Sequence, residues 1–198
     1  MSGQVSLKQR IIDSAWELFN EKGFENTTLN DIIGRAGVAK GSFYYYFRSK
    51  DTLLNTLSIV LDNEYRRLEK VLPDDMNAFD KLMFLNYEMH SFMEKMDYRL
   101  IANRYSAQLL KDDGANLLDR NRFYFTLIEK IITEGQQRGE LVTHKTSQEL
   151  VKIYSLCERA LVTDWCMNNA SYSLGEYSKE YMPLLYGAFR GSGQGSEA

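Results

Sequence analysis

Three helical segments follow one another within the first fifty residues, and the links between them are very short. The first, 7–22, has apolar residues at the 3.6-residue spacing of an amphipathic helix and should stop at Gly23. The second should begin at Thr28, which with Asp31 forms a short-carboxylate version of the capping box, and stop at Gly37. Two residues later a third helix is predicted over 40–47. Two short helices joined by a tight glycine turn are typical of a helix-turn-helix.

The third helix carries three consecutive tyrosines, and its helical periodicity predicts which of them are exposed. With Phe43 in the core, Phe47 and Ala39 lie about 40° away on the same side. Tyr46 falls at the boundary. The opposite side and its flanks hold a set of small, hydroxylated and basic residues: Lys40, Gly41, Ser42, Tyr44, Tyr45 and Arg48.

That side suits the groove of a nucleic-acid duplex. Phenolic hydroxyls can bond phosphate oxygens, and Gly41 allows the helix backbone to approach the bases. Lys40 and Ser42 are the groups best placed to read base edges. The net charge of −3 does not oppose this, because it is unevenly distributed: residues 1–72 carry +1 and residues 73–198 carry −4. The segment 35–50 has four basic residues and no acidic one, which gives a phosphate backbone a local cationic patch.

A fourth helix is predicted from Ser49, as its cap, to about Lys70, and Pro73 should end it. Lys50 in its first turn would be a second phosphate anchor. Residues 7–61 resemble the DNA-binding domain of TetR-type transcriptional regulators, through "AWELFNEKGFENTTLNDIIGRAGV" and "AKGSFYYYFRSKDTLL". The chain departs from that pattern at Ala39, where the family often has Ser or Thr. The resemblance implies that the DNA-contacting residues are Thr28, Lys40, Gly41, Ser42, Tyr44, Tyr45 and Lys50.

The rest of the chain also has helical periodicity, so the fold class is all-α: an N-terminal three-helix helix-turn-helix domain joined by a long helix to a helical effector and dimerisation domain. The expected domains are 5–65 and 66–190, followed by a flexible Gly/Ser tail, 191–198. Helices are expected over 76–96, over 98–111 with a break at Gly114, and over 115–138 with a stop at Gly139. Two more should start at capping boxes, Thr146 with Glu149 and Ser173 with Glu176. Pro183 should kink or shorten the last helix.

The last two helices are apolar on more than one face, which indicates a partner. The TetR resemblance implies that they pair with a second copy in a four-helix bundle, and a homodimer would place two recognition helices on a palindromic operator. A monomer that buries both helices internally is the alternative. The residues expected at the dimer interface are Leu150, Tyr154, Leu161, Tyr177, Tyr181, Leu184 and Ala188.

The resemblance also implies an effector pocket among the middle helices, although Met and aromatic residues at such positions are often plain core. Many Met and Tyr residues suit a small, mostly apolar or aromatic molecule that releases the protein from DNA. Glu158, Arg104 and Arg159 could bind a charged group of the ligand, but solvated or paired surface charges are the favoured interpretation. The candidate pocket residues are Met83, Tyr87, His90, Met93, Tyr105, Phe123, Leu127, Cys157, Leu161 and Trp165.

Enzyme and carrier functions are the rival readings. A di-iron helical bundle needs repeated Glu-x-x-His pairs, whereas this chain has only His90 and His144, preceded three residues earlier by Tyr87 and Leu141. We therefore expect no catalytic residues, no metal and no cofactor. Cys157 and Cys166 would lie on opposite sides of one helix as reduced thiols. No apolar run reaches the about 20 residues of a membrane span, so a cytoplasmic location is expected. A ligand-responsive repressor is favoured over an activator of the same fold.

Overall fold

The computed structural model describes residues 6–110 and 117–191, and within these ranges the chain is built from helices. The α-helices are α1 (Leu7–Lys22), α2 (Leu29–Ala36), α3 (Lys40–Tyr46), α4 (Leu57–Glu69), α5 (Ala78–Met93), α6 (Tyr98–Leu109), α7 (Phe123–Gln137), α8 (Ser147–Met167) and α9 (Leu174–Tyr186). Short 3-10 helices cover Asp51–Thr56 and Gly187–Phe189. The all-α prediction is confirmed.

The chain forms two compact units. The first contains the residues up to Val60 together with a later stretch that includes α6, and the second contains 61–94 and the residues from Leu118 onward. The boundary therefore falls inside α4.

The first unit is organised around α1, which packs against α2 and α3. Phe19 of α1 and Phe43 of α3 are fully enclosed, and the Phe19 ring meets Phe24 edge-on with centroids 5.0 Å apart. The Arg10 guanidinium donates to the carbonyl of Ala36, which ties α1 to the last residue of α2. These contacts leave the opposite face of α3 outside the core.

The predicted ends of α1 and α2 are confirmed. Gly23 and Gly37 both have positive φ, 84° and 60°, the backbone region that favours glycine. Thr28 and Asp31 form both bonds of the capping box. Ala39 stands at the start of α3 with no side-chain capping bond.

Two capping predictions in the second unit have different outcomes. Thr146 and Glu149 form the complete capping box of α8. Ser173 accepts from the Glu176 amide, but the Glu176 carboxylate accepts from the Tyr87 hydroxyl at 3.3 Å. The start of α9 is also held by Glu94, which accepts from the Gly175 amide at 3.0 Å.

The fourth helix differs from its prediction, because a 3-10 helix precedes α4. The Thr52 and Thr56 hydroxyls donate to the carbonyls three residues before them, at 2.7 and 2.6 Å, and Thr56 also accepts from the Trp16 indole at 2.9 Å. Side-chain bonds of this local kind compete with regular α-helical bonding. Ser49 is not the cap, since Lys50 occupies that position.

Two further boundaries also differ. α7 begins at Phe123 rather than at residue 115, because Asp119 accepts from the amide and side chain of Asn121 in a turn that precedes the helix. α9 continues through Pro183 to Tyr186, where buried side chains on both sides of the proline hold the helix against the core. The predicted break at Gly114 and residues 192–198 of the tail lie outside the described residues.

Helices α5 and α7 approach closely at Gly135, and this contact gives a stability prediction. A Cβ on Gly135 would lie 2.3 Å from the Ala78 Cβ, so we expect Gly135→Ala to lower the free energy of unfolding by about 1–3 kcal/mol. Gly34 in α2 has no heavy atom near its Cβ position, and Gly34→Ala should raise stability by about 0.5–1 kcal/mol. Urea unfolding of both variants measures the effects, and equal stability of the two variants would contradict this packing.

Candidate nucleic-acid interface and effector site

The exposed face of α3 matches the predicted orientation. Phe43 is fully buried and Phe47 nearly so, whereas Tyr44 and Tyr45 are 49% and 81% exposed. Tyr46 is also exposed, with its ring 4.8 Å from the Tyr45 ring in an edge-on contact. The two phenylalanines hold the helix to the unit, and three phenolic hydroxyls are left on its surface.

The other residues of this face are small or basic. Lys40 and Arg48 are exposed, and a Cβ at Gly41 would have no heavy atom within 4 Å. Ser42 is half-buried beside them. Ala39, predicted on the core side, is exposed instead, because α3 begins only at Lys40 and Ala39 belongs to the preceding turn. The face can therefore offer hydroxyl and ammonium donors and a close backbone approach.

The predicted anchor residues at the edges of this face already have partners within the unit. The Thr28 hydroxyl donates to Asp31 at 2.6 Å, and Lys22 pairs with the same carboxylate at 2.7 Å. The bonds from Lys22 and Thr28 hold the pKa of Asp31 well below its usual range. The Lys50 ammonium donates to the Phe24 carbonyl at 2.7 Å and lies 4.1 Å from the centroid of the Phe24 ring.

The basic segment 35–50 is partly neutralised. Arg35 forms two bonds to Glu21, at 2.8 and 2.7 Å, and these bonds raise the pKa of the guanidinium. Arg35 is exposed but paired, so the exposed cations next to the tyrosines are Lys40 and Arg48.

The residues predicted to line an effector pocket are scattered between core and surface. Tyr105 belongs to the first unit and the other nine to the second. Several have partners of their own: the Trp165 indole donates to the Tyr172 carbonyl at 2.9 Å, and His90 shares a hydrogen bond with Ser178. The buried members are His90, Met93, Leu127, Leu161 and Trp165, and the half-buried members are Met83, Tyr87, Tyr105, Phe123 and Cys157. Their grouping into one pocket stays a prediction.

His90 gives a pH prediction. Burial lowers its pKa to about 3, so between that value and the ordinary value of about 6.5 the unfolded chain binds one more proton than the folded chain. Neutral His90 therefore contributes to the free energy of unfolding at neutral pH. That contribution decreases as the pH falls through this window, by about 1.4 kcal/mol per pH unit. His90→Gln should remove it. Unfolding free energies of both proteins from pH 7 to pH 4 test this, and parallel curves would contradict it.

Glu158 is a functional candidate whose burial the sequence analysis missed, because a surface charge was preferred to a role in ligand binding. It is only 7% exposed, so its interpretation as a surface charge is wrong, and the same holds for Arg104, which is also buried. The signal was present in the sequence, because Glu158 stands four residues after Tyr154 and three before Leu161, on the apolar stripe of α8.

The residues predicted for a dimer interface divide into two groups. Leu150, Tyr154 and Leu161 are buried within the second unit, and the Tyr154 hydroxyl donates to the Leu82 carbonyl at 2.7 Å. They are core residues of a single chain because they face the neighbouring helices. Tyr177 is half-buried, and the exposed members are Tyr181, Leu184 and Ala188. Large apolar side chains also exposed on α8 and α9 are Leu156, Met167 and Leu185.

Among the described residues, no helix is long and apolar enough to cross a membrane. In the same part of the chain, no three or more His, Cys, Asp or Glu side chains are grouped so that they could hold a metal ion.

Comparison with known proteins places these features in a family. Residues 11–57 match the family of bacterial regulatory proteins called tetR, and residues 100–188 match the C-terminal region of YsiA-like proteins. Two similar proteins come from Bacillus subtilis strain 168. The HTH-type transcriptional regulator YvdT is 38% identical, and the match covers 93% of this chain and 96% of YvdT. The fatty acid metabolism regulator protein is 27% identical, and the match covers 89% of this chain and 92% of that protein.

A solved structure of the transcriptional regulator FadR from Bacillus subtilis, in complex with stearoyl-CoA, is 26% identical with a TM-score of 0.62. It covers 90% of this chain and 97% of its own. The order of the helices, the exposed tyrosine face and these similarities agree: the chain belongs to the TetR family of ligand-responsive, DNA-binding transcriptional regulators.

Proposed function

We propose that the protein is a homodimeric repressor that binds a palindromic operator through α3 and leaves it when a small, mostly apolar effector binds. The observation that carries this proposal is the exposed face of α3, where Tyr44, Tyr45 and Lys40 stand over a helix fixed by Phe43 and Phe47. Adjacent exposed aromatic rings without a partner would favour non-specific association. Against a duplex they contact the sugar-phosphate wall, and the basic residue supplies a phosphate or base contact.

The dimer is needed because one seven-residue recognition helix reads few base pairs. A two-fold dimer places two such helices in successive major grooves about one helical turn apart. The apolar side chains exposed on α8 and α9, among them Leu156, Leu184 and Leu185, form the surface that we assign to the second copy. Burial of this surface in a dimer would remove it from water.

An effector site in the second unit is supported by the relatives. The FadR structure from Bacillus subtilis contains stearoyl-CoA, which has a long apolar chain, and the second unit of this protein has a large apolar core. We assign DNA binding to 5–65 and effector binding and dimerisation to 66–190. Because α4 belongs to both units, a change in its position on effector binding would reach the DNA-binding domain through the chain itself. A ligand that prefers one state by a few kcal/mol is enough to shift the population.

Selection of duplexes from a random library with the full chain tests the function. We expect inverted repeats to be enriched, binding that weakens steeply as salt rises, and release on addition of stearoyl-CoA or of another ligand with a long apolar chain. Failure to enrich any sequence would contradict operator recognition. A reporter placed under the selected operator distinguishes repression from activation.

A further inference from the structure

A buried polar cluster joins four helices in the second unit. It consists of Glu158 on α8, Tyr65 on α4, Asn86 on α5 and Tyr124 on α7, and all four residues are more than nine-tenths buried. One carboxylate oxygen of Glu158 accepts from the Tyr65 hydroxyl at 3.3 Å and from the Asn86 amide at 3.4 Å. The other accepts from the Tyr124 hydroxyl. We call this group the Glu158 cluster.

Two groups in the Glu158 cluster lack a complementary partner. The hydrogen-bond donors to Glu158 are neutral, and among the described residues no lysine or arginine forms an ion pair with it. A buried carboxylate without a counter-charge is costly. In addition, the carbonyl oxygen of the 1%-exposed Asn86 has no hydrogen-bond partner, and leaving a buried acceptor unsatisfied lowers stability.

Both deficits call for the same chemical group, a hydrogen-bond donor with a positive charge. We propose that the Glu158 cluster binds the amino group of an apolar amine, whose ammonium bonds the Glu158 carboxylate and the Asn86 carbonyl oxygen. The proposal rests on the proposed function, because it names the chemical class of the effector. It does not depend on the sequence of the operator.

The surroundings of the cluster fit the rest of such a molecule. The rings of Tyr65 and Tyr124 have their centroids 5.0 Å apart, and aromatic faces attract cations. One turn away from the cluster, Met89 on α5 and Leu161 on α8 are buried on one side, and Ile128 on α7 is buried on the other side, because α7 runs antiparallel to α5 and α8. An amine that displaces the Tyr65 hydroxyl from Glu158 would also loosen the attachment of α4, the helix shared by both units.

A proton competes with the amine for Glu158. Burial raises the pKa of Glu158 above its ordinary value, while bonds from Tyr124, Asn86 and Tyr65 and an interaction with Tyr154 oppose this rise. Among the described residues, these four neutral side chains bond or interact with the carboxyl, and its charge also acts on the thiol of the adjacent Cys157. Below the raised pKa the carboxyl holds a proton and has no charge to offer an ammonium. Amine affinity should therefore increase as the pH rises through that pKa and level off above it.

Three eight-carbon probes test the proposal on the full chain: 1-octylamine, which is cationic near neutral pH, 1-octanol and octanoate. Calorimetric titration and thermal unfolding give affinity and stabilisation. We expect octylamine to bind at least about tenfold more tightly than either other probe, a factor equal to about 1.4 kcal/mol. Its binding should strengthen with pH. Glu158→Gln, which keeps the side-chain shape, should lose this preference and its pH dependence, whereas Glu134→Gln, at an exposed carboxyl on α7, should keep both.

Other outcomes separate this proposal from the proposed function. If octanoate or stearoyl-CoA binds as well as octylamine, or if Glu158→Gln retains the preference, the amine site is wrong while an operator-binding regulator stands. If octanol alone binds tightly, the cluster selects a neutral donor and the charge argument fails. If none of the three probes binds or changes the unfolding temperature, and the protein still binds a selected operator, the cluster has only a structural role. Absence of operator binding contradicts the proposed function itself.

Discussion

Replacing Lys40 and Tyr44 together by alanine should lower the affinity for the selected operator by about thirtyfold or more. Each contact to a base edge or phosphate contributes about 1–3 kcal/mol, and losses at separate contacts add approximately. Lys40 is exposed at the first position of α3. Tyr44 is half-exposed, and its ring packs edge-on against the ring of Phe43. Quantitative gel-shift titration at two salt concentrations measures the loss.

The matched control is Lys130→Ala combined with Tyr172→Ala. It removes a lysine from α7 and a tyrosine from the loop between α8 and α9, both in the second unit. It should leave operator affinity within about twofold, since neither residue belongs to the α3 face. The salt slope of the Lys40 and Tyr44 variant should be shallower by about one unit, because one phosphate-neutralising cation is gone. Unchanged affinity, with thermal unfolding like that of the wild type, would show that DNA binds elsewhere.

Introducing glutamates at Leu184 and Leu185 should separate the dimer and reduce affinity for the full operator by about 10²–10⁴-fold. Both leucines are exposed near the end of α9, Leu184 at 73%, so the change should not disturb the core of one chain. Four carboxylates would face one another across a two-fold interface and could not be buried there without a large desolvation cost. The affinity falls because, in a dimer, binding of one recognition helix raises the effective concentration of the second at its half-site, and separate monomers lack this advantage.

Leu109 and Leu110 offer a matched control, since they form another exposed leucine pair, at the end of α6. Glutamates at these two positions should leave the protein dimeric. Sedimentation equilibrium measures the mass of both variants, and binding to a duplex with a single half-site should be similar for both. A Leu184 and Leu185 variant that sediments as a dimer would contradict the assigned interface.

Local signals in the sequence were sufficient for most of the first unit. Glycines with positive φ and a reciprocal Thr28–Asp31 cap mark helix ends through interactions a few residues apart, so they can be read along the chain. The orientation of α3 followed from Phe43 and Phe47, because a four-residue spacing places two large rings on one side. The 3-10 helix before α4 was harder to predict, because the local bonds of Thr52 and Thr56 are joined there by a bond between Trp16 and Thr56, forty residues apart.

The second unit was harder to predict at the level of individual residues. Helices that are apolar on several sides do not reveal which side faces the same chain, and Leu150 and Tyr154 were therefore assigned to a dimer although they are core residues. Glu158 was assigned to the surface because charged residues are rarely fully buried. Its position on the apolar stripe of α8 indicated burial, but its hydrogen-bond donors come from three other helices, and the spacing within α8 does not identify them.

The central claim is that the tyrosine face of α3 contacts DNA. The structure of the full chain bound to its selected duplex tests this most directly. We expect two copies of α3 in successive major grooves, with the Tyr44 and Tyr45 hydroxyls within hydrogen-bond distance of phosphate oxygens and Gly41 closest to the bases. A complex in which those hydroxyls face solvent, and another surface of the protein lies against the duplex, would contradict the claim.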